Sequence, residues 1–184
     1  GIGARVSELT FVELRKVRLL HGGQVPSLLE VLEALPDTKW NIDFKTPDCV
    51  EPACGDILRA NSSERVLIAS FSDANRRKAQ RLLPAAAASA GIALSLLVVI
   101  AIRLKLSWFA RLLSRKVQAL QLPREVSGVR LDSRKLIAGF RGLGLAVHYW
   151  TVNDPAEMSQ LVSLGASGVV TDRADLAAAS LRHL

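Results

Sequence analysis

The chain has 184 residues, 49% of them hydrophobic, which fits one domain with a real core. A net charge of +7 favours anionic partners: phosphate esters, nucleic acid or an acidic membrane surface. With three Trp, one Tyr and five Phe there is little material for base-stacking platforms, so a nucleic-acid partner is not expected.

The sequence begins at Gly1 and its one methionine is Met158, so either something has been removed or this is a piece of a longer chain; no signal-peptide pattern stands at this end. Thr10 followed by Glu13 is a capping box and predicts a short basic helix through Arg18, broken at His21-Gly22-Gly23. Ser27 and Glu30 repeat the signal for a second helix, with Leu28, Leu29, Val31, Leu32 and Leu35 as its buried side. Pro36 ends it. Residues 40–45 then alternate strictly, Trp40, Ile42 and Phe44 apolar against Asn41, Asp43 and Lys45 polar. Side chains on a strand alternate faces, so this is a strand with helices on one face and an amide, a carboxylate and an ammonium gathered on the other.

A loop over residues 47–52 leads to a helix from about Ala53 to Ala60. Cys49 and Cys54 have no histidine near them and read as free thiols, which allows a reducing, cytoplasmic setting. Residues 65–71 form a buried strand, and Ser72-Asp73 opens a strongly basic helix that stops before Pro84. Residues 85–102 carry no charge and reach the length of a membrane span. Their small residues and Gly91 argue instead for a short strand at Ala86 to Ala90, then a helix from Ile92 reaching as far as Val117. Residues 119–123 are the next strand. Asp132-Ser133 starts a helix that stops at Gly142 and Gly144, and residues 145–152 are a clear strand. Asp154 caps a helix with Pro155 in its first turn, Gly165 ends it, and residues 168–171 are the last strand, with Thr171 or Asp172 capping the final helix.

About six strands thus alternate with helices, which predicts a parallel sheet with crossover helices, either open and doubly wound or a barrel. No G-x-G-x-x-G follows the first strand, so a dinucleotide site is not supported. A (β/α)8 barrel takes about 250 residues, and this chain is two units short of one.

The ordered motifs resemble the glycerophosphodiester phosphodiesterase family over nearly the whole chain. Pro26-Ser27-Leu28-Leu29-Glu30-Val31-Leu32 resembles its P-T-L-E-E-V-L helix, and Asn41-Ile42-Asp43-Phe44-Lys45 its N-I-E-I-K strand. Ser70-Phe71, Leu122-Pro123, Trp150-Thr151-Val152-Asn153 and Gly168-Val169-Val170-Thr171-Asp172 follow in the family's order. The resemblance implies an α/β fold, a TIM (β/α)8 barrel that is incomplete here: about six of eight βα units, the first two missing, with residues 1–184 a partial phosphodiesterase domain. It implies metal-dependent hydrolysis of a glycerophosphodiester to sn-glycerol 3-phosphate and an alcohol, with Ca²⁺ or Mg²⁺ in the complete enzyme.

Carried over residue by residue, Asp43 takes the place of a carboxylate metal ligand that is often glutamate in the family. Lys45 takes that of a lysine facing the phosphate, Trp150 lines the pocket, and Ser70 and Phe71 sit at its rim. The family's H-R-G and E-x-D motifs do not occur here and are expected upstream, so no catalytic residue is assigned and the chain is expected to be inactive alone. His21 and His183 match neither catalytic histidine, and His148 reads as a core histidine on the face of Trp150. Two other readings stand beside this one. One is a membrane-associated module making weak surface contact through residues 85–102 and the basic run 103–116, with Trp108 and Phe109 on it. The other is a dead barrel fragment from a decayed reading frame.

Overall fold

In the computed structural model, which describes residues 3–20 and 22–181, parallel strands follow one another in space as they do in sequence. They are β1 (Trp40–Asp43), β2 (Val66–Ala69), β3 (Ala87–Ala88), β4 (Ala119–Pro123), β7 (Ala146–Trp150) and β8 (Gly168–Val169). β1, β2 and β3 form one sheet and β4, β7 and β8 another. A single bridge, Ser89 to Ala119, joins the two, flanked by Ala90 N–H to Ala119 O at 2.9 Å and Gln118 N–H to Ala88 O at 2.8 Å. Nearest-neighbour parallel order with a helix in each crossover is barrel topology. β1 and β8 are the outer strands, and no pairing joins them among the described residues. The arc is therefore open, as an incomplete barrel requires.

The outward faces carry two cores. Leu32, Phe44, Val50, Ile57, Ile68 and Leu83 pack α2 (Leu28–Ala34), α3 (Val50–Arg59) and α4 (Asp73–Leu82) over the first three strands. Leu120, Ile137, Phe140, Val147, Tyr149 and Leu161 do the same for α5 (Ile92–Arg103), α7 (Arg134–Gly142) and α8 (Pro155–Ser163) over the others. Capping boxes form at Thr10 before α1 (Phe11–Lys16) and at Ser27 before α2, satisfying amides that a helix start leaves bare.

Several expected boundaries move. α1 ends at Lys16, two residues short of Arg18. In α2 only Leu32 is fully buried and Leu35 is exposed, because this short helix packs chiefly against α3. The expected loop 47–52 is mostly helical: a 3-10 turn, Pro47–Cys49, runs into α3, and Pro52 sits in the first turn of that helix, where its missing N–H costs nothing. The long helix from Ile92 is two helices, α5 and α6 (Ser107–Ser114). Lys105 takes a left-handed conformation (φ 60), and Leu106 N–H donates to Ala101 O while Lys105 N–H donates to Ile102 O. That is a Schellman ending with lysine where glycine is usual. Ahead of α9 (Ala174–Leu181), Thr171 Oγ1 accepts from the amide of Arg173, one residue before the helix. His21 and His183 lie outside the described residues.

One element has no counterpart in the sequence reading. A hairpin of β5 (Glu125–Val126) and β6 (Val129–Arg130) stands after β4. Ser127 and Gly128 both have positive φ, 50 and 78, the geometry of a tight two-residue hairpin turn. Behind it, Asp132 is buried and accepts from Arg124 Nε at 2.8 Å and Arg130 Nε at 2.9 Å. Arg124 also pairs with Glu157 on α8, and Tyr149 Oη donates to Leu131 O at 2.7 Å, so the hairpin is tied to the barrel wall.

Burial acts to raise the Asp132 pKa, but hydrogen bonds from Arg130 and Arg124 outweigh it and hold the carboxyl below its ordinary range. A folded-state pKa below the unfolded value gives stability that is full above about pH 4 and is lost as pH falls through the folded value. Thermal midpoints of the native chain should therefore fall more steeply below about pH 4 than those of Asp132→Asn. Parallel pH profiles for the two would contradict this.

Candidate functional site

The parallel register decides which side chains share the inner face. Asp43 pairs with Ala69 and Asn41 with Leu67, while Pro123 pairs with Trp150 and Gln121 with His148. One layer deep, Gln121 Nε2 donates to Asn41 Oδ1 at 3.0 Å, a contact between β4 and β1 across the interior. His148 lies on this inner face beside Gly168, where an added Cβ would come within 3.2 Å of the ring. It is half-buried, and burial pushes its pKa below the ordinary histidine range. Among the described residues its ring has no hydrogen-bond partner, so in place of the satisfied core histidine expected from sequence there is a half-buried ring facing the interior.

At the carboxyl ends of the strands the residues singled out in the sequence come together. Lys45 Nζ forms an ion pair with Asp43 Oδ2 and lies 5.3 Å from the centroid of the Phe71 ring. Phe71 in turn meets Trp150 with ring centroids 5.9 Å apart, tilted by 45°. The series runs from β1 through the end of β2 to β7, so it crosses from one sheet to the other. Ser70 ties the first two strand ends: its hydroxyl donates to Phe44 O at 2.7 Å and accepts from the amide of Ser72 at 3.2 Å. Asp43, Phe71 and Trp150 open onto one cavity of about 710 Å³, which continues beneath α5 and the β5–β6 hairpin. The carboxyl end of a parallel barrel is where such folds place their ligands.

Sequence reasoning found the four residues at the mouth but not the far wall. Val126 and Val129 of the hairpin and Arg103 at the end of α5 also line the cavity. The Ser127-Gly128 pair between two valines was the available signal for the hairpin. The thiols of Cys49 and Cys54 are free, as expected; Cys54 is buried, and its pKa is pushed up to about 11 by that burial and by Cys49, which leaves it a poor nucleophile. No helix among the described residues is long and apolar enough to cross a membrane.

The sequence profile of the glycerophosphoryl diester phosphodiesterase family matches residues 1–176. The chain belongs to that family. It is 38% identical over 177 residues to a Mycobacterium tuberculosis protein named "Probable glycerophosphodiester phosphodiesterase 2", covering 96% of this chain and 67% of that one. Among solved structures, a Silicibacter pomeroyi protein with a provisional glycerophosphoryl diester phosphodiesterase name superposes with a TM-score of 0.74 at 21% identity, over 98% of this chain and 70% of that one. An Oleispira antarctica phosphodiesterase, solved with the product sn-glycerol-3-phosphate, gives a TM-score of 0.59 at 16% identity, over 86% of this chain and 62% of that one. The fold is that family's barrel, in an incomplete form.

The family is in general metal-dependent. Asp43 suits a hard cation by chemistry and position: it is an oxygen donor, partly exposed, at the cavity mouth. It is a single ligand, however, and no group of three or more His, Cys, Asp or Glu able to hold a metal is gathered among the described residues.

Proposed function

We propose that the chain is the strand-three-to-eight part of a glycerophosphodiester phosphodiesterase, whose complete form hydrolyses a glycerophosphodiester to sn-glycerol 3-phosphate and an alcohol. The observation that carries this reading is the meeting of Asp43, Lys45, Phe71 and Trp150 at one barrel mouth, in a chain of this family. Lys45 supplies a mobile point charge for the phosphate, and Phe71 and Trp150 form the wall beside it. Asp43 would hold one side of a divalent cation, Ca²⁺ or Mg²⁺, with other ligands from a segment carrying the H-R-G and E-x-D motifs. When bound, such a cation neutralises charge on the phosphate. Asp43 also orients Lys45 through their ion pair, and the apolar wall limits water around the bound ester. The two thiols and the substrate class suit a cytoplasmic protein.

Binding tests the role of Lys45. Glycerol 3-phosphate titrated into residues 1–184 by calorimetry should bind weakly, and Lys45→Ala should weaken it about tenfold, the low end for a hydrogen bond to a charged group because Lys45 is largely exposed. Equal affinity for both proteins would remove Lys45 from the phosphate site.

A further inference from the structure

We infer that the cavity behind the mouth is a hydrocarbon-chain pocket, and that the substrate is a glycerophosphodiester bearing one long acyl or alkyl chain. This rests on the reading of the mouth as the phosphate end. The cavity's size, about 710 Å³, is that of a built ligand site. Beyond the mouth its walls are apolar: Leu96, Val99 and Ile100 of α5, Val126 and Val129 of the hairpin, and Leu131 line it. α5 is apolar along nearly its whole length, yet Ile92, Leu96 and Ile100, a run at helical spacing along one side, stay exposed. A helix side of this kind turned into a groove that opens on a polar mouth calls for an apolar occupant.

Charge decides between occupants. Among the described residues, the charged side chains lining the cavity are Asp43 and Arg103. Asp43 stands at the mouth, where on the reading above its carboxylate serves Lys45 and a divalent cation, so it does not serve a cationic alcohol such as choline or ethanolamine. Lys45 sits against the Phe71 ring, which leaves that part of the aromatic pair engaged with a cation of the protein's own. Arg103, at the other end of α5, repels a second cation and donates to Arg130 O at 2.7 Å, fixing the hairpin over the groove. The pocket thus rejects positively charged head groups and accepts an uncharged chain. The chain could be carried on the glycerol or be the alcohol itself, and both place a phosphate at Lys45.

The test compares three probes on residues 1–184 by calorimetry, below their micelle concentrations: glycerophosphoglycerol, its lysolipid form with a dodecanoyl chain on one glycerol, and glycerophosphododecanol. One or both chain-bearing probes should bind at least about a hundredfold tighter than glycerophosphoglycerol, since each buried methylene adds to affinity. Which of the two gains more tells where the chain is attached. Leu96→Asp and, separately, Ile100→Asp should collapse that ratio to within about threefold, and both positions are exposed enough to accept aspartate without unfolding the helix. Trp108→Ala, on the exposed side of α6 outside the cavity, should leave the ratio unchanged. Equal affinity for chain-bearing and chain-free probes would overturn the inference while leaving the Lys45 reading standing. A ratio insensitive to both aspartates, or lost with Trp108→Ala, would show adsorption to the surface and overturn it too. If no probe binds, both readings fail together.

Discussion

Phe44→Ala should lower the unfolding free energy of the chain by about 3–5 kcal/mol, the cost of removing a fully buried phenyl ring. Phe44 is 1% exposed and packs with Leu32, Val50 and Ile68 beneath α2 and α3. Its amide donates to Ala69 O at 2.8 Å and its carbonyl accepts from Ser70, so the same residue extends the β1–β2 ladder past the last strand residue. A domain has about 5–15 kcal/mol of stability in all, so this one ring represents a large share. Its position between Asp43 and Lys45 matters as much as its size. The ring, held in the outer core, fixes the backbone so that both flanking side chains point the other way, toward the mouth. Urea denaturation of both proteins measures the effect, and a loss under about 1 kcal/mol would mean that the ring is not core.

Asp43→Ala should reduce turnover of the completed domain by roughly a hundredfold or more, since even the partners behind a metal ligand are worth 10–100-fold. The expectation has internal structure. Asp43→Ala removes the carboxylate and also frees Lys45, so it should raise the cation concentration needed for half-maximal rate. Asp43→Asn keeps the size and loses the charge, and should fall nearly as far. Asp43→Glu keeps the carboxylate and should keep most of the activity. Lys45→Ala should raise KM more than it lowers kcat. Steady-state kinetics at varied cation concentration separates these cases. Equal loss for glutamate and alanine would point to packing rather than to a carboxylate role.

Why these residues were legible while others were not follows from the physics of each. Strict alternation over residues 40–45 placed Asp43 and Lys45 on one face, because strand periodicity is local. Capping boxes at Thr10 and Ser27 were legible for the same reason. The break between α5 and α6 was not, because lysine seldom takes the left-handed conformation that Lys105 adopts. Residues 85–102 looked long enough for a membrane, yet Ala87–Ala88 and α5 divide that run between a strand and a helix. The far wall of the cavity was hidden for a further reason. Val126 and Val129 belong to two-residue strands with no periodicity to detect, and Arg103 reaches the site only through tertiary packing. The proximity of Asn41 to Gln121, eighty positions apart, is likewise a property of the barrel and of no local pattern.

The most direct test of the phosphodiesterase reading is release of glycerol 3-phosphate from glycerophosphoglycerol, and of glycerol 3-phosphate or its acylated form from the chain-bearing diester. It would be measured for residues 1–184 alone and for the same residues joined to an N-terminal segment carrying the H-R-G and E-x-D strands, each with and without chelator. The account predicts no release by residues 1–184 alone, and chelator-sensitive release by the joined protein that Asp43→Ala lowers by roughly a hundredfold or more. Chelator-sensitive release by residues 1–184 alone, or joined protein whose activity is indifferent to Asp43→Ala, would contradict it.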